Sequence, residues 1–161
     1  MQHILSKLCR AVLLLLVAAP KISAAEPPPV PKEFSAFIGG FNGQSYRLEL
    51  HGGSLAYTTL RGGQTITKDT VTPSAAQWRE FREALDGLKV WQWRAEYANG
   101  QIRDGTQWSL DIAYADHAIK SHGSNNYPES NGKPSGKPDP ATAFKGYLDA
   151  IEKLIGGKTF R

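Results

Sequence analysis

The residues closest to a recognisable chemistry are His117 and His122, which lie near Asp111 and Asp116 in the chain, with His51 standing apart. Imidazole binds metals as the neutral ring and titrates near neutrality, so such a group would suit a metal site or an acid–base pair. The spacing argues otherwise. No H-x-x-x-H repeat or other ligand spacing with a stated mechanism is present. His117 falls at an expected turn, His122 near the end of a return strand, and His51 against a Gly52-Gly53 turn. All three read as surface or turn histidines, and neither metal nor cofactor is predicted. Other chemistries fare no better. There is no G-x-S-x-G elbow, and Gly123-Ser124 lacks the strand-to-helix setting that exposes a nucleophile. The carboxylate pairs Asp111 with Asp116 and Glu96 with Asp104 would need a deep cleft to act on a glycoside. The double glycines stand outside any phosphate-loop pattern. No catalytic residue is assigned.

Two groups suit binding instead. Residues 123–128 (GSNNYP) place the amides of Asn125 and Asn126 beside the Tyr127 ring and the stiff Pro128; loops on rigid scaffolds often bind. Trp91 and Trp93 share a face if residues 90–97 are extended, and would form an aromatic platform near Arg94 and Tyr97. The same pair reads more readily as core beneath a helix, because large aromatics usually bury.

The elements that must hold these residues are legible in the hydrophobic period. Tyr46, Leu48 and Leu50 alternate with polar residues as a half-buried strand. Gly52-Gly53 and Arg61-Gly62-Gly63-Gln64 read as turns to strands around 55–59 and 65–71. An additional strand is expected over 34–41. Trp78, Phe81, Leu85 and Leu88 follow at helical spacing, started by Thr72-Pro73 or by a Ser74/Gln77 capping box, with Gly87 as a left-handed stop. Its charged residues Arg79, Glu80, Arg82 and Glu83 are expected in water. Residues 108–114 alternate clearly and return over 118–122. Residues 129–139, rich in Gly and Pro, read as a flexible surface loop. A second helix starts at Asp139-Pro140, buries Phe144, Tyr147, Leu148, Ile151, Leu154 and Ile155, and stops at Gly156-Gly157. The patterns 46–50 and 108–112 match, as do the two helical stripes. The expected fold is α+β: a single antiparallel sheet built from two strand–strand–helix units, with two helices on one face.

The chain has 161 residues. Residues 1–25 read as a signal peptide: Lys7 and Arg10, then the apolar run 11–19 (AVLLLLVAA), then Ser23-Ala24-Ala25 for cleavage. The run is too short to span a bilayer, which takes about 20 apolar residues. Cleavage after Ala25 removes Lys7, Arg10, Lys21 and no acid, taking the formal charge from +4 to +1. A nearly neutral domain offers no electrostatic case for nucleic acid or anionic membrane. Cleavage also removes Cys9, the one cysteine, so the working chain has no disulfide and no thiolate site. Residues 26–33 form a proline-rich lead, read as an extended tether. Residues 34–161 are expected to form one domain.

The DG-x-x-W start (Asp104, Gly105, Trp108) and the G-x-N-x-Y-P end (Gly123, Asn125, Tyr127, Pro128), followed by a helix, resemble a pattern in small exported or lipoprotein-like bacterial proteins of unknown function. The similarity covers roughly the last third of the chain. The long Pro/Gly loop before the helix departs from it. The resemblance implies bacterial export to the periplasm and carries no catalytic role. The expected protein is thus a noncatalytic, periplasmic or secreted one that binds a protein or envelope partner through Asn125, Asn126 and Tyr127 or through Trp91 and Trp93. The alternatives are a small envelope-directed enzyme using His117 and His122, and a glycan-binding module using Trp91 and Trp93. The oligomeric state stays open.

Overall fold

A computed structural model describes residues 30–40, 43–102, 104–137 and 139–161. The expected signal peptide and residues 26–29 of the proline-rich lead lie outside them, as does Phe41. The elements run β1 (Glu33–Gly39), β2 (Gln44–His51), β3 (Ser54–Arg61), β4 (Gln64–Val71), α1 (Ala75–Gly87), a 3₁₀ turn (Val90–Gln92), β5 (Glu96–Ala98), β6 (Gln107–Ala113), β7 (Ala118–Ser124) and α2 (Thr142–Leu154). The seven strands form one sheet in the order β4-β3-β2-β1-β6-β7-β5.

The sheet is mixed, which corrects the expectation of a purely antiparallel one. Five neighbouring pairs are antiparallel, but β5 runs parallel to β7. The chain leaves α1 through the 3₁₀ turn, adds β5 outside β7, then crosses to β6. Tyr97 fixes this edge: its buried hydroxyl donates to the Gly132 carbonyl at 2.7 Å. The strand expected over 34–41 is β1, and it occupies the centre of the sheet between β2 and β6. The two expected hairpins, β2–β3 and β6–β7, therefore flank it.

Local chemistry explains the boundaries. Gly52 and Gly53 both take positive φ (56° and 88°), as a two-residue hairpin turn requires. Ser74 caps α1: its hydroxyl accepts from the Gln77 N–H, and the Gln77 side chain accepts from the Ser74 N–H. The capping box, rather than Thr72-Pro73, sets the start. The left-handed residue after α1 is Lys89, at φ 55°, and not Gly87. In α2 the N-cap is Ala141, which has no side-chain cap bond, so the Asp139-Pro140 start does not form. Gly156 and Gly157 do end that helix with positive φ.

Both helices cover the same face of the sheet. Phe34 of β1 meets Trp78 and Phe81 of α1 edge-on at 6.1 and 5.5 Å. Trp108 of β6 meets Phe144 of α2 at 4.8 Å. Phe34, Ala36 and Ile38 pair across to Ile112, Leu110 and Trp108, so one continuous apolar layer lies beneath the helices. Among the described residues no helix or strand lies against the other face. No helix among them is long and apolar enough to cross a membrane.

Candidate functional site

The structure buries the polar loop that sequence singled out. Asn125, Asn126 and Tyr127 are 5 %, 7 % and 2 % exposed. The Asn126 carbonyl oxygen of the side chain accepts from the backbone N–H groups of Tyr127 and Gly136, each at 3.1 Å. Its amide donates to the Ala98 carbonyl at 3.3 Å, and its backbone carbonyl accepts from Trp108 Nε1 at 2.9 Å. Asn125, at φ 52°, donates to the Ile102 carbonyl. Tyr127 packs at a tilt against Phe144, ring centroids 4.8 Å apart. These side chains knit loops together and present no free amide to a partner. The expected flexible loop is pinned as well: Glu129 and Lys133 bond through their backbones, and Pro128 bridges to Pro134.

Trp91 and Trp93 do not share a face. The 3₁₀ turn that Lys89 initiates sends them in different directions. Trp93 enters the core, 5.5 Å from Tyr147 and 6.1 Å from Trp108. Trp91 stays half-buried on the surface and belongs to a second cluster.

That cluster centres on Arg82, which the helical pattern had assigned to water. Its guanidinium lies 5.0 Å from the Trp91 ring centroid and 4.7 Å from that of Tyr114. It donates to both carboxylate oxygens of Asp116 at 2.9 and 2.8 Å, and through Nε to Asp86 at 3.0 and 3.1 Å. Trp91 Nε1 donates to Asp86 at 2.5 Å. His117 packs on Trp91 at 5.2 Å, with Nδ1 2.9 Å from Asp116 Oδ2. The i, i+4 spacing of Arg82 and Asp86 was the sequence signal available for it. Chemically the cluster is a strut, because Arg82 is tied to Asp86 through Nε and to Asp116 through both terminal nitrogens, one of which also lies 3.1 Å from His117 Nδ1.

The bidentate bond from Arg82, followed by that from His117, holds the Asp116 carboxyl far below the usual carboxylate range. Arg161 acts similarly on Glu152. A depressed folded-state pKa contributes stability that is present above the unfolded value, about 4, and is lost as pH falls below it. Thermal melts are thus expected to be flat with respect to these carboxylates from pH 8 to 5, with Tm dropping toward pH 2.5. The drop should be shallower in Asp116→Asn; identical acid limbs would contradict this role.

The histidines are not brought together. His117 sits with Trp91 on the helical side, whereas His122 is exposed on the opposite face of the sheet, in register with Ser109. Asp111 on that face pairs with Lys120 at 2.7 Å. Among the described residues no three His, Cys, Asp or Glu side chains are grouped as a metal site.

What remains is the bare face of the sheet. The strand registers lay out its rows. One crosses the sheet as Lys68, Thr58, Arg47, Phe37, Ser109 and His122; the next as Thr70, Ala56, Glu49, Ser35, Asp111 and Lys120. The alternation that drives Phe34, Ala36 and Ile38 into the core puts Phe37 here, an aromatic ring among mostly polar side chains. Arg47 lies over it, 5.8 Å from the ring centroid. Where Gly39 lies between Ser45 and Gln107, the face dips into a hollow of about 630 Å³. Phe37 and Leu60 line it together with Arg47, Asp104 and Gln107. Gly39 cannot be larger: a Cβ there would stand 2.0 Å from Ser45 Oγ. Sequence reasoning passed over Phe37, although its position out of phase with the core residues of β1 was the available signal.

No protein-family model matches the chain, and no curated protein shows significant similarity to it.

Proposed function

We propose that this chain is an exported, noncatalytic binding protein of the bacterial periplasm, and that the helix-free face of its sheet is the surface that meets a protein or envelope partner. The observation that carries the reading is the division of the sheet. Two helices and the aromatic core occupy one face, while the other holds an aromatic ring, polar side chains and a hollow over which, among the described residues, no helix or strand is laid. A rigid sheet presents such groups at fixed spacing, which lowers the ordering cost of binding. The scattered histidines and the carboxylate-paired Arg82 support a role without catalysis. The signal-like residues 1–25 and the resemblance of the last third support export. The flanking of β1 by β2–β3 and β6–β7 suits an origin from two strand–strand–helix units.

The test is capture from envelope extract with the full chain, carrying its own N-terminus and a C-terminal tag. Ser109→Arg places a long cation in the middle of the bare face beside Phe37. It is expected to reduce capture of the partner at least tenfold, a loss of about 1.4 kcal/mol. Glu80→Arg, on the exposed side of α1, should leave capture unchanged. Equal capture by both variants would contradict the assignment of the face.

A further inference from the structure

We infer that the dished corner of the bare face binds a carbohydrate chain, laid over Phe37 and held by the side chains of Arg47, Asp104 and Gln107. This rests on the reading of that face as the binding surface. Shape comes first. The main hollow adjoins two smaller ones: one of about 290 Å³ shares Phe37 and Arg47 and continues to Ser35 and Ser109, and one of about 270 Å³ shares Gly39 and Asp104. The main hollow and the first of these make a shallow trough across β6, β1 and β2 rather than an enclosed pocket, while the second opens round the end of β1 toward Ile38 and Arg161. A trough suits a chain of repeating units more than a single small molecule.

The chemistry then selects among chains. The backbone groups of β1, β2 and β6 at this corner are paired within the sheet, so an extended peptide laid there would gain no ladder bonds. A phosphate chain would meet Asp104 and Glu49 as well as Arg47, and one guanidinium among two carboxylates does not neutralise it. A sugar chain matches what is present. The exposed C–H face of a pyranose packs on an aromatic ring, and Phe37 supplies a part-exposed one beside the flexible side chain of Arg47. Neighbouring hydroxyls each donate and accept. A guanidinium, a carboxylate and a primary amide offer paired donors and acceptors in planar geometry to meet them. Arg47 is exposed and makes no ion pair among the described residues, so its donors are available. The charges of Arg47 and Asp104 cancel, which suits a neutral or weakly charged glycan.

The experiment titrates the isotope-labelled protein with cellohexaose, chitohexaose, maltohexaose and purified peptidoglycan glycan strands, following backbone amide shifts. At least one is expected to bind saturably, tighter than about 10 mM, and to shift the amides of Arg47, Gly63 and Gln107 most. Phe37→Ala and, separately, Arg47→Ala should each weaken that binding about tenfold. Arg47 is exposed, so its variant tests the site even if Phe37→Ala fails to fold. The inference is overturned if no glycan saturates, if the shifts lie on the helices, or if Arg47→Ala binds as the parent does. It is equally overturned if a set of extended peptides moves these amides and no glycan does. Should the glycans fail while Ser109→Arg still abolishes partner capture, the carbohydrate falls and the binding face stands. Should Ser109→Arg also leave capture intact, both fall.

Discussion

Trp108→Ala lowers the stability of the protein by about 3–5 kcal/mol, the largest loss expected from any single substitution in this chain. Trp108 is 2 % exposed and meets three aromatic rings at once. It lies 4.8 Å from Phe144, 5.7 Å from Tyr97 and 6.1 Å from Trp93, and its indole N–H donates to the Asn126 carbonyl. Truncation removes the packing that joins α2 to β6 and leaves a buried carbonyl without its donor. The neighbouring strand offers no side chain to fill the space, because Gly123 lies against the indole where even a Cβ would stand 2.3 Å from Trp108 Nε1. Chemical denaturation should show the loss as a lower midpoint, with Tm down by roughly 10–20 °C. A change under about 1 kcal/mol would mean that this aromatic cluster does not hold the fold.

Asn126→Ala is the second large effect, expected at about 2–3 kcal/mol. The side chain satisfies two backbone donors, on Tyr127 and Gly136, and one acceptor, on Ala98, from a site 7 % exposed. The same substitution separates two roles. If Asn126 met a partner, alanine would spare Tm and abolish capture. Its position in the structure requires the reverse order: Tm falls first, and below that lowered Tm capture is retained. Thermal melts and envelope capture on one preparation decide between them.

These two residues show where sequence and structure part. Strands announce themselves when one face is buried, as in Tyr46-Arg47-Leu48 and Trp108-Ser109-Leu110, because period two and burial coincide. The glycine pairs at 52–53 and 62–63 mark turns for a stereochemical reason that no context alters. The Ser74 box is equally local. Asn125 and Asn126 mislead because a buried, fully bonded amide and a solvated one have the same sequence signature; only distant partners such as Ala98 and Gly136 tell them apart. Trp91 and Trp93 mislead because alternation presumes an extended chain, and one left-handed residue, Lys89, winds it into a 3₁₀ turn. Arg82 belongs to the same class: its partners Tyr114 and Asp116 both come from the turn after β6, far along the chain. The parallel β5 edge and the bare face emerge only from strand order and register.

Site-specific photo-crosslinking tests the central claim most directly. A benzophenone side chain is placed at position 109, on the bare face, or at position 80, on the outer surface of α1, and the full chain is irradiated in envelope extract. The account predicts an adduct from position 109 and none from position 80. An adduct from position 80 alone, in a protein that melts like the parent, would place the partner on the helices and contradict it.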